Sequence, residues 1–121
     1  MDNYAYRQLT VWQKAMSLVK MAYAMIRRFP QEERYALADQ FRRAVVSIPA
    51  NIAEGNGRAS NRDYAHFLSI ARGSLYEMMT QYEIAMSMDY VDAQPEFEAT
   101  AVEVRRMLTA LIRKYGDLET E

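Results

Sequence analysis

The chain lacks cysteine entirely and has only four glycines and three prolines among its 121 residues. The absence of cysteine excludes disulfides and thiolate metal sites, and it fits a reducing compartment. So few turn-forming residues favour helices over a many-stranded sheet. No stretch approaches the roughly 18 apolar residues of a membrane span, and residues 1–8 lack the apolar segment of a signal peptide. We therefore expect one cytoplasmic domain over residues 1–121, with no membrane partner.

Histidine is nearly absent as well, because His66 is the only one. Di-iron helical bundles need a Glu-x-x-His motif on each of two helices together with two further glutamates. Here the pair Asp63-x-x-His66 has no second copy. The sequence also has no P-loop, nucleophile elbow or other phosphate-cradling glycine motif. We therefore expect no enzymatic activity, no catalytic residue, no metal and no cofactor.

Neither sign of charge predominates overall, since the net charge is −1 and the isoelectric point is near 5.9. The charges are nevertheless unevenly placed along the chain. Residues 1–75 hold eleven Lys/Arg and six Asp/Glu, whereas residues 76–121 hold four and ten. This division suits an anionic ligand on the basic half or a head-to-tail association of two copies, although small domains often show such an imbalance.

Apolar residues recur at helical spacing in four segments, which predict helices over residues 11–28, 34–54, 61–88 and 93–115. Thr10 with Gln13 and Ser60 with Asp63 have the spacing of helix N-terminal caps. Gly116 is expected to end the fourth helix. Four amphipathic helices with short connections predict an all-α, antiparallel up-down-up-down four-helix bundle.

Residues 47–55 break several helix rules in succession. Pro49 lies well inside the second predicted helix, where a proline costs roughly 3 kcal/mol, and Ser47 or Asn51 could satisfy the groups that it releases. Glu54 lies in the last turn, where the helix dipole disfavours a carboxylate, so we expect Arg58 or Arg72 to pair with it. Gly55 is expected at the C-terminal end in left-handed geometry.

Glycine inside the third helix and arginine at its start are two further anomalies. Gly73 costs about 1 kcal/mol relative to alanine in a helix interior. With Ser74 it forms a small-residue surface, which indicates either a groove for another chain or, as we favour, close packing against the second helix. Arg58 and Arg62 flank a helix N-terminus, where backbone N–H groups are free to hold an anion.

The order and spacing of several of these residues resemble those of one protein family. The resemblance covers roughly residues 9–85, and its most recognisable block is residues 47–55. The other matching residues are Leu9, Thr10, Val11, Trp12, Gln13, Lys14, Ala15, Phe29, Pro30, Glu33, Tyr35, Leu37, Gln40, Arg43, Ala44, Arg58, Ser60, Tyr64, Phe67, Leu68, residues 70–75 and Glu77. This pattern is similar to that of the 23S rRNA intervening-sequence proteins, also called the four-helix bundle protein family.

The resemblance implies a left-handed antiparallel four-helix bundle that assembles into a homo-oligomeric ring, with a pentamer as the expected size. It implies no established enzymatic activity and no cofactor. Some members are encoded inside insertions of large-subunit rRNA genes. A related protein, the accessory variability determinant of diversity-generating retroelements, binds nucleic acid and a reverse transcriptase, so RNA or a protein is the partner that the resemblance implies. The family-motif positions expected to be structural are Trp12, Ser47, Pro49, Asn51, Glu54, Gly55, Gly73 and Ser74.

Two functions remain open from the sequence. The first is a non-enzymatic, homo-oligomeric scaffold or adaptor, because aromatic, methionine and arginine side chains are enriched at interfaces. Its expected apolar contacts are Tyr4, Tyr6, Met21, Met25, Tyr76, Met86 and Tyr90. The alternative is an RNA- or other nucleic-acid-binding protein with an arginine-lined surface, whose candidate anion-binding residues are Arg42, Arg43, Arg58, Arg62 and Arg72.

Overall fold

A computed structural model describes residues 4–120, with side chains described up to Asp117. Within that range the chain forms four α-helices and no strand. They are α1 (Thr10–Ile26), α2 (Leu37–Asn56), α3 (Asn61–Ser87) and α4 (Pro95–Thr120), with short 3-10 turns at Ala5–Gln8 and Gln31–Glu33. The expected all-α four-helix bundle is confirmed.

Each helix packs against its neighbours in the chain, and α1 also packs against α4, which closes the bundle. The contacts between α3 and α4 show that these helices run in opposite directions. Tyr64, early in α3, stacks on Tyr115 near the end of α4, at 4.5 Å between ring centroids. Tyr82, late in α3, lies 5.0 Å from the ring of Phe97, early in α4.

The bundle core is one continuous cluster that draws on all four helices. The sequence stripes predicted these positions because apolar residues three and four apart share one face of a helix. The largest fully buried side chains are Tyr82, Phe41, Phe97, Leu18, Ile48, Ile52, Leu68, Leu75, Met78, Leu108, Val11 and Val45. At one end of the bundle the core becomes aromatic, since Phe29 stacks on Phe41, which meets the edge of Phe97.

The helix N-termini confirm one predicted cap and correct another. The Ser60 hydroxyl accepts a hydrogen bond from the Asp63 N–H at 3.1 Å, as expected. Thr10 does not cap α1, because it is the first helical residue and the capping position, Leu9, has no side-chain hydrogen bond. Gln13, the expected partner of Thr10, instead donates to the carbonyl of Arg7 at 2.8 Å.

The bounds of α2 and α4 also differ from the prediction. Helix α2 begins at Leu37 because Ala36 has a non-helical backbone and the Glu33 carboxylate accepts the Leu37 N–H at 3.2 Å. Helix α4 continues past Gly116 to Thr120, so that glycine does not end it. An isolated glycine costs only about 1 kcal/mol in a helix, which is too little to terminate a helix that already packs on the core.

Gly55 does not have the left-handed geometry that was expected from the sequence. It lies inside α2, it is buried, and no glycine among the described residues has a positive φ. A Cβ built on Gly55 would lie 2.7 Å from Phe67 Cβ and 3.0 Å from Tyr64 Cδ1. Glycine is required here because α2 and α3 approach each other too closely for a side chain.

The structure contradicts the expectation that Gly73 packs closely against the second helix. It is exposed on α3, and a Cβ built there would have no neighbour within 4 Å. The helix continues through it without interruption. No packing inside this chain therefore explains why a glycine occupies this position.

The C-terminus of α3 is closed by a Schellman motif, in which two N–H groups beyond the helix bond back to its last carbonyls. The Tyr90 N–H donates to the Ala85 carbonyl at 2.9 Å, and the Asp89 N–H donates to the Met86 carbonyl at 3.0 Å. Asp89 takes the left-handed position with φ 63°, where glycine is the usual residue. No glycine in the sequence marked this helix end.

Tyr90 also joins the two connections at this end of the bundle. Its hydroxyl donates to the Glu33 carboxylate at 2.8 Å, and its ring lies 5.7 Å from that of Phe29. Glu33 thus uses one carboxylate oxygen for Tyr90 and the other for the start of α2. None of the helices in the described part of the chain is long and apolar enough to cross a membrane.

Candidate functional site

A groove between α2 and α3 brings together several of the polar residues that carry the family resemblance. This α2–α3 groove has a volume of about 490 Å³. It is lined by Gln40, Arg43, Ala44, Ser47, Ser74, Glu77 and Gln81. All of them except Gln81 belong to the sequence pattern described above. The groove is polar, whereas the seam between α3 and α4 is filled by aromatic rings.

A chain of hydrogen bonds joins α2 to α3 at the groove. The Asn51 amide donates to the Ser47 carbonyl and to Ser47 Oγ, both at 2.8 Å. Ser47 Oγ lies 2.8 Å from Ser74 Oγ. Either hydroxyl can donate in this bond, because a serine oxygen that accepts from Asn51 can still accept a second proton. Ser74 is buried, at 7 % exposure.

Two hydrogen-bond acceptors in the groove have no partner in the described structure. Gln81 Oε1 is buried and is the one buried side-chain N or O atom without a partner among the described residues. Glu77 is exposed one turn before Gln81 on the same face of α3, and its carboxylate makes no hydrogen bond or ion pair within the described structure. A buried acceptor without a partner costs about 1–3 kcal/mol, so its presence calls for an explanation.

Pro49 is accommodated inside a continuous helix and is itself buried. It cannot donate to the carbonyl of Val45. The expected compensation takes a different form, because the Asn51 amide bonds to the carbonyl of Ser47 rather than to that of Val45. Ser47 and Asn51 therefore connect α2 to α3 through Ser74 and do not satisfy the group that the proline releases.

Glu54 pairs with Arg58, which was one of its two expected partners. The carboxylate Oε2 lies 3.0 Å from Arg58 Nη2, and both side chains are about half exposed. The Arg58 guanidinium also lies over the Phe67 ring, 4.7 Å from its centroid. Arg58 is thus held by a carboxylate and an aromatic face, while Arg62 is exposed in the first turn of α3.

The other three candidate arginines also contact the protein itself. Arg42 Nη1 and Arg43 Nε lie 3.3 and 2.9 Å from the two Asp39 carboxylate oxygens. Arg72 does not reach Glu54, because it donates to the Thr109 hydroxyl on α4 at 3.3 Å. Arg42 and Arg72 therefore point to different neighbouring helices, since the guanidinium of Arg42 lies over Tyr23 of α1.

The structure separates the five arginines into three places. Arg43 and Arg58 are fifteen residues apart along α2 and its end, which corresponds to roughly 22 Å at about 1.5 Å per residue. Arg72 lies on the side of α3 that faces α4. The described residues therefore bring Arg42 together with Arg43 on Asp39, but they do not form one arginine-lined surface.

Trp12 has a structural role that the sequence pattern did not specify. It is half-buried against the core, and its ring meets the edge of Tyr6 at 5.1 Å. Tyr6 belongs to the 3-10 turn that precedes α1, so the contact fastens this turn to the bundle. Trp12 therefore lies away from the α2–α3 groove.

Hydrogen bonding and burial perturb three tyrosines. Burial and a hydrogen bond to the Glu98 carboxylate raise the pKa of Tyr82. The hydrogen bond to Glu33, followed by burial, raises the pKa of Tyr90. Burial raises the pKa of Tyr64 although its bond from Asn56 acts in the opposite direction. All three hydroxyls connect helices or their ends, so these shifts belong to the packing of the bundle.

The described residues contain no group of three or more His, Asp or Glu side chains that could hold a metal ion. His66 is exposed on α3, with its ring against the edge of Phe67. Within the groove, Ser47 and Ser74 are bonded to each other and to an amide, and no described histidine, lysine or carboxylate is bonded to either hydroxyl. This arrangement holds two helices together and does not activate a nucleophile, which needs an adjacent base.

Comparison with known proteins is consistent with this arrangement. The model of the family described as 23S rRNA-intervening sequence protein matches residues 7–110. The chain belongs to this family. The match extends beyond residues 9–85, where the sequence resemblance was seen, into α4. No match is found among curated proteins.

The fold of this family member has a solved counterpart. A protein of unknown function from the S23 ribosomal protein family of Bacteroides thetaiotaomicron superposes with a TM-score of 0.74 and is 21% identical. The superposition covers 85% of this chain and 98% of the other. At this identity the similarity shows the shared bundle fold.

Sequence reasoning missed Gln81 and the convergence of Gln40, Arg43 and Glu77 on one groove. The signal that was available is spacing, since Ser74, Glu77 and Gln81 are three and four residues apart and therefore share one face of α3. What the sequence does not contain is the register between α2 and α3, which decides that Ser47 faces Ser74.

Proposed function

We propose that this family member is a non-enzymatic, homo-oligomeric helical-bundle scaffold or adaptor. The observation that supports this most strongly is a second apolar stripe on α3, which faces away from the core. Ile70, Tyr76 and Ile84 are 39%, 54% and 43% exposed. A helix of a monomeric bundle is expected to be polar on its outer face. Burying these side chains against another subunit would remove apolar surface from water.

The outer face of α3 also has a shape that an interface uses. Exposed Gly73 lies between Ile70 and Tyr76, and with no side chain it permits a partner helix to approach closely. The uneven charge along the chain suits a head-to-tail contact, which closes into a ring when its rotation allows. We propose such a ring, with a pentamer as the expected size.

The apolar contacts expected from the sequence are revised by burial. Met25 belongs to the core, and Met21, Met86 and Tyr90 are partly buried against it. Tyr6 is half-buried. Tyr76 and Tyr4, at 54% and 59% exposure, are the two that remain on the surface.

Nucleic-acid binding is the alternative, and Arg62 is the residue that favours it. Arg62 is exposed in the first turn of α3, four residues after Arg58 in the sequence. The other candidates are occupied by Asp39, Glu54 or Thr109. A phosphate would have to compete with these partners, so we rank this function second.

Light scattering coupled to size exclusion tests the proposal. The protein is measured at micromolar concentration, with and without a structured RNA, at two salt concentrations. We expect one discrete oligomer that does not change with RNA. A monomeric mass would overturn the proposal, and salt-sensitive co-elution with RNA would favour the alternative, because phosphate contacts weaken as salt rises.

Single charged substitutions then test the stripe. Ile70→Asp and Tyr76→Asp place a charge within it, and Ser17→Asp is the matched control at an exposed polar position of α1, outside the stripe. We expect the first two to reduce the mass and the control to keep it. Unchanged mass in both variants would show that the α3 stripe is not the contact.

A further inference from the structure

We propose, on the basis of the oligomer proposed above, that the apolar face of α3 packs on a patch between α1 and α2 of a second copy of this chain. In this contact Lys20 of one copy pairs with Glu77 of the next. A head-to-tail contact joins two different surfaces, so every subunit must have both of them. The α3 face is one surface, and the α1–α2 patch is the other.

Three apolar side chains are exposed along the seam between α1 and α2. Met16 and Tyr23 of α1 and Val46 of α2 are 36%, 39% and 41% exposed. The guanidinium of Arg42 lies over the Tyr23 ring at 5.9 Å, so the start of α2 runs beside the end of α1. Val46 follows Arg42 by one turn, and Met16 precedes Tyr23 by two turns on the same face of α1. The three side chains therefore line one surface, the α1–α2 patch.

The charges of α1 and of the second half of α3 are opposite in sign. Residues 10–28 contain four Lys/Arg and no Asp/Glu, whereas residues 73–104 contain seven Asp/Glu and no Lys/Arg. Helix α1 does not pack against α3 in the described structure, so the cations of α1 and the carboxylates of α3 do not meet within one chain. A second copy that places its α1 against α3 brings complementary charges together.

Glu77 places a carboxylate at the centre of the apolar face of α3. It lies seven residues from Ile70 and from Ile84, and this spacing puts all three on one face of the helix. Arg43 lies across the groove, but its Nε is bonded to Asp39 at 2.9 Å. A contact that buries the two isoleucines also buries the carboxylate, and a buried charge without a partner is costly. The partner surface therefore has to supply a cation.

Lys20 is the cation at the centre of the α1–α2 patch. It lies four residues after Met16 and three before Tyr23, which puts it on the same face of α1. It is exposed and forms no ion pair within the described structure. When the apolar residues of the two surfaces pack together, the Lys20 ammonium therefore meets the Glu77 carboxylate.

The positions of the two surfaces favour a closed ring over a straight filament. Helix α2 packs between α1 and α3 in the bundle. The patch lies on the side of α1 that faces α2, and Glu77 lines the α2–α3 groove. Both surfaces are thus turned toward the α2 side of the bundle. Each added copy is therefore rotated relative to the last, and the series can close.

Charge reversal followed by light scattering tests the pair on the full chain. Glu77→Lys and Lys20→Glu should each weaken association roughly tenfold or more, because each brings like charges together. The double variant should regain the wild-type mass. An equimolar mixture of the two single variants should also associate, because each variant keeps a surface that complements the other. Wild-type mass in both single variants, or no recovery in the double variant and the mixture, would overturn the proposal.

Matched controls separate this contact from the oligomer itself. Ser17→Asp adds an acid to α1 on the α4 side, three residues after Lys14, which pairs with α4. Glu96→Lys reverses an exposed charge on α4, which does not pack against α2. Both controls should keep the wild-type mass. If Ile70→Asp reduces the mass and Lys20→Glu does not, the oligomer stands and the α1–α2 patch is not its second surface. A monomeric wild type would overturn both proposals.

Discussion

Two glycines on neighbouring helices should respond to alanine in opposite directions. Gly55 lies where α2 meets α3, and an added Cβ would be 2.7 Å from Phe67 Cβ and 3.2 Å from the Tyr64 carbonyl oxygen. Gly73 is exposed, and its added Cβ would touch nothing within 4 Å. Both residues are helical, so the gain in helix propensity is the same and only the packing differs.

The expected change in the free energy of unfolding is the sum of two contributions, helix propensity and packing. Alanine gains about 0.8–1 kcal/mol over glycine in a helix, and Gly73→Ala should keep most of that gain in the dissociated chain, where no partner helix lies against it. At Gly55 the obstructing atoms are a Cβ and a main-chain oxygen, which cannot rotate away, and overpacking of this kind costs about 1–3 kcal/mol or more. We therefore expect Gly55→Ala to lower the free energy of unfolding by about 1 kcal/mol. The two variants should then differ by about 2 kcal/mol.

Urea denaturation followed by circular dichroism measures this difference. The variants and the wild type are compared at the same series of protein concentrations, because association changes apparent stability. The slope of unfolding free energy against urea should be the same for all three, so that the midpoints report stability alone. If Gly55→Ala were as stable as the wild type, the close approach of α2 and α3 would be wrong. A loss of stability in Gly73→Ala that depends on protein concentration would place Gly73 in a subunit contact.

Two further predictions concern the end of α3 and its tyrosines. Asp89→Gly should raise the free energy of unfolding by roughly 1 kcal/mol, because glycine adopts the left-handed geometry without a Cβ penalty. Thermal unfolding measures this change, and an unchanged melting temperature would contradict the prediction. Because the pKa values of Tyr82 and Tyr90 are raised in the folded protein, the stability that they contribute is fully present below the unfolded tyrosine pKa of about 10 and is lost as pH rises through the folded values. Urea midpoints measured between about pH 8 and 11 should therefore decrease above pH 10. Tyr82→Phe should make this decrease smaller, and it should lower the stability near neutral pH by about 1–3 kcal/mol because the Glu98 carboxylate and the Gln94 N–H lose their partner. A decrease of equal size in the variant would show that Tyr82 does not contribute.

The sequence predicted local features better than contacts between helices. The apolar stripes, the Ser60 cap and the Glu54–Arg58 pair depend on residues three or four apart, and all are present in the structure. Gly55 was misread because a glycine near an expected helix end resembles a terminator. Its true role depends on Phe67 of another helix.

The candidate site shows the same division. The sequence pattern singled out Ser47, Asn51 and Ser74, and the structure connects them by hydrogen bonds. The arginine surface was not predictable in the same way, since Arg42 lies near the start of α2 and Arg58 lies just beyond its end. Gln81 attracted no notice because an unpaired acceptor is a property of the packed structure, and no sequence pattern marks it.

The bond between Tyr90 and Glu33 has a consequence for how the bundle assembles and opens. It joins residues 57 positions apart, whereas α2 and α3 are linked by the short connection 57–60. Contacts between distant residues form late because the chain must first close a large loop. The α2–α3 hairpin is therefore the natural folding nucleus, and the end that contains Glu33 closes after it. In the native protein the same end should open first, so its amide hydrogens exchange with solvent faster than those around Gly55.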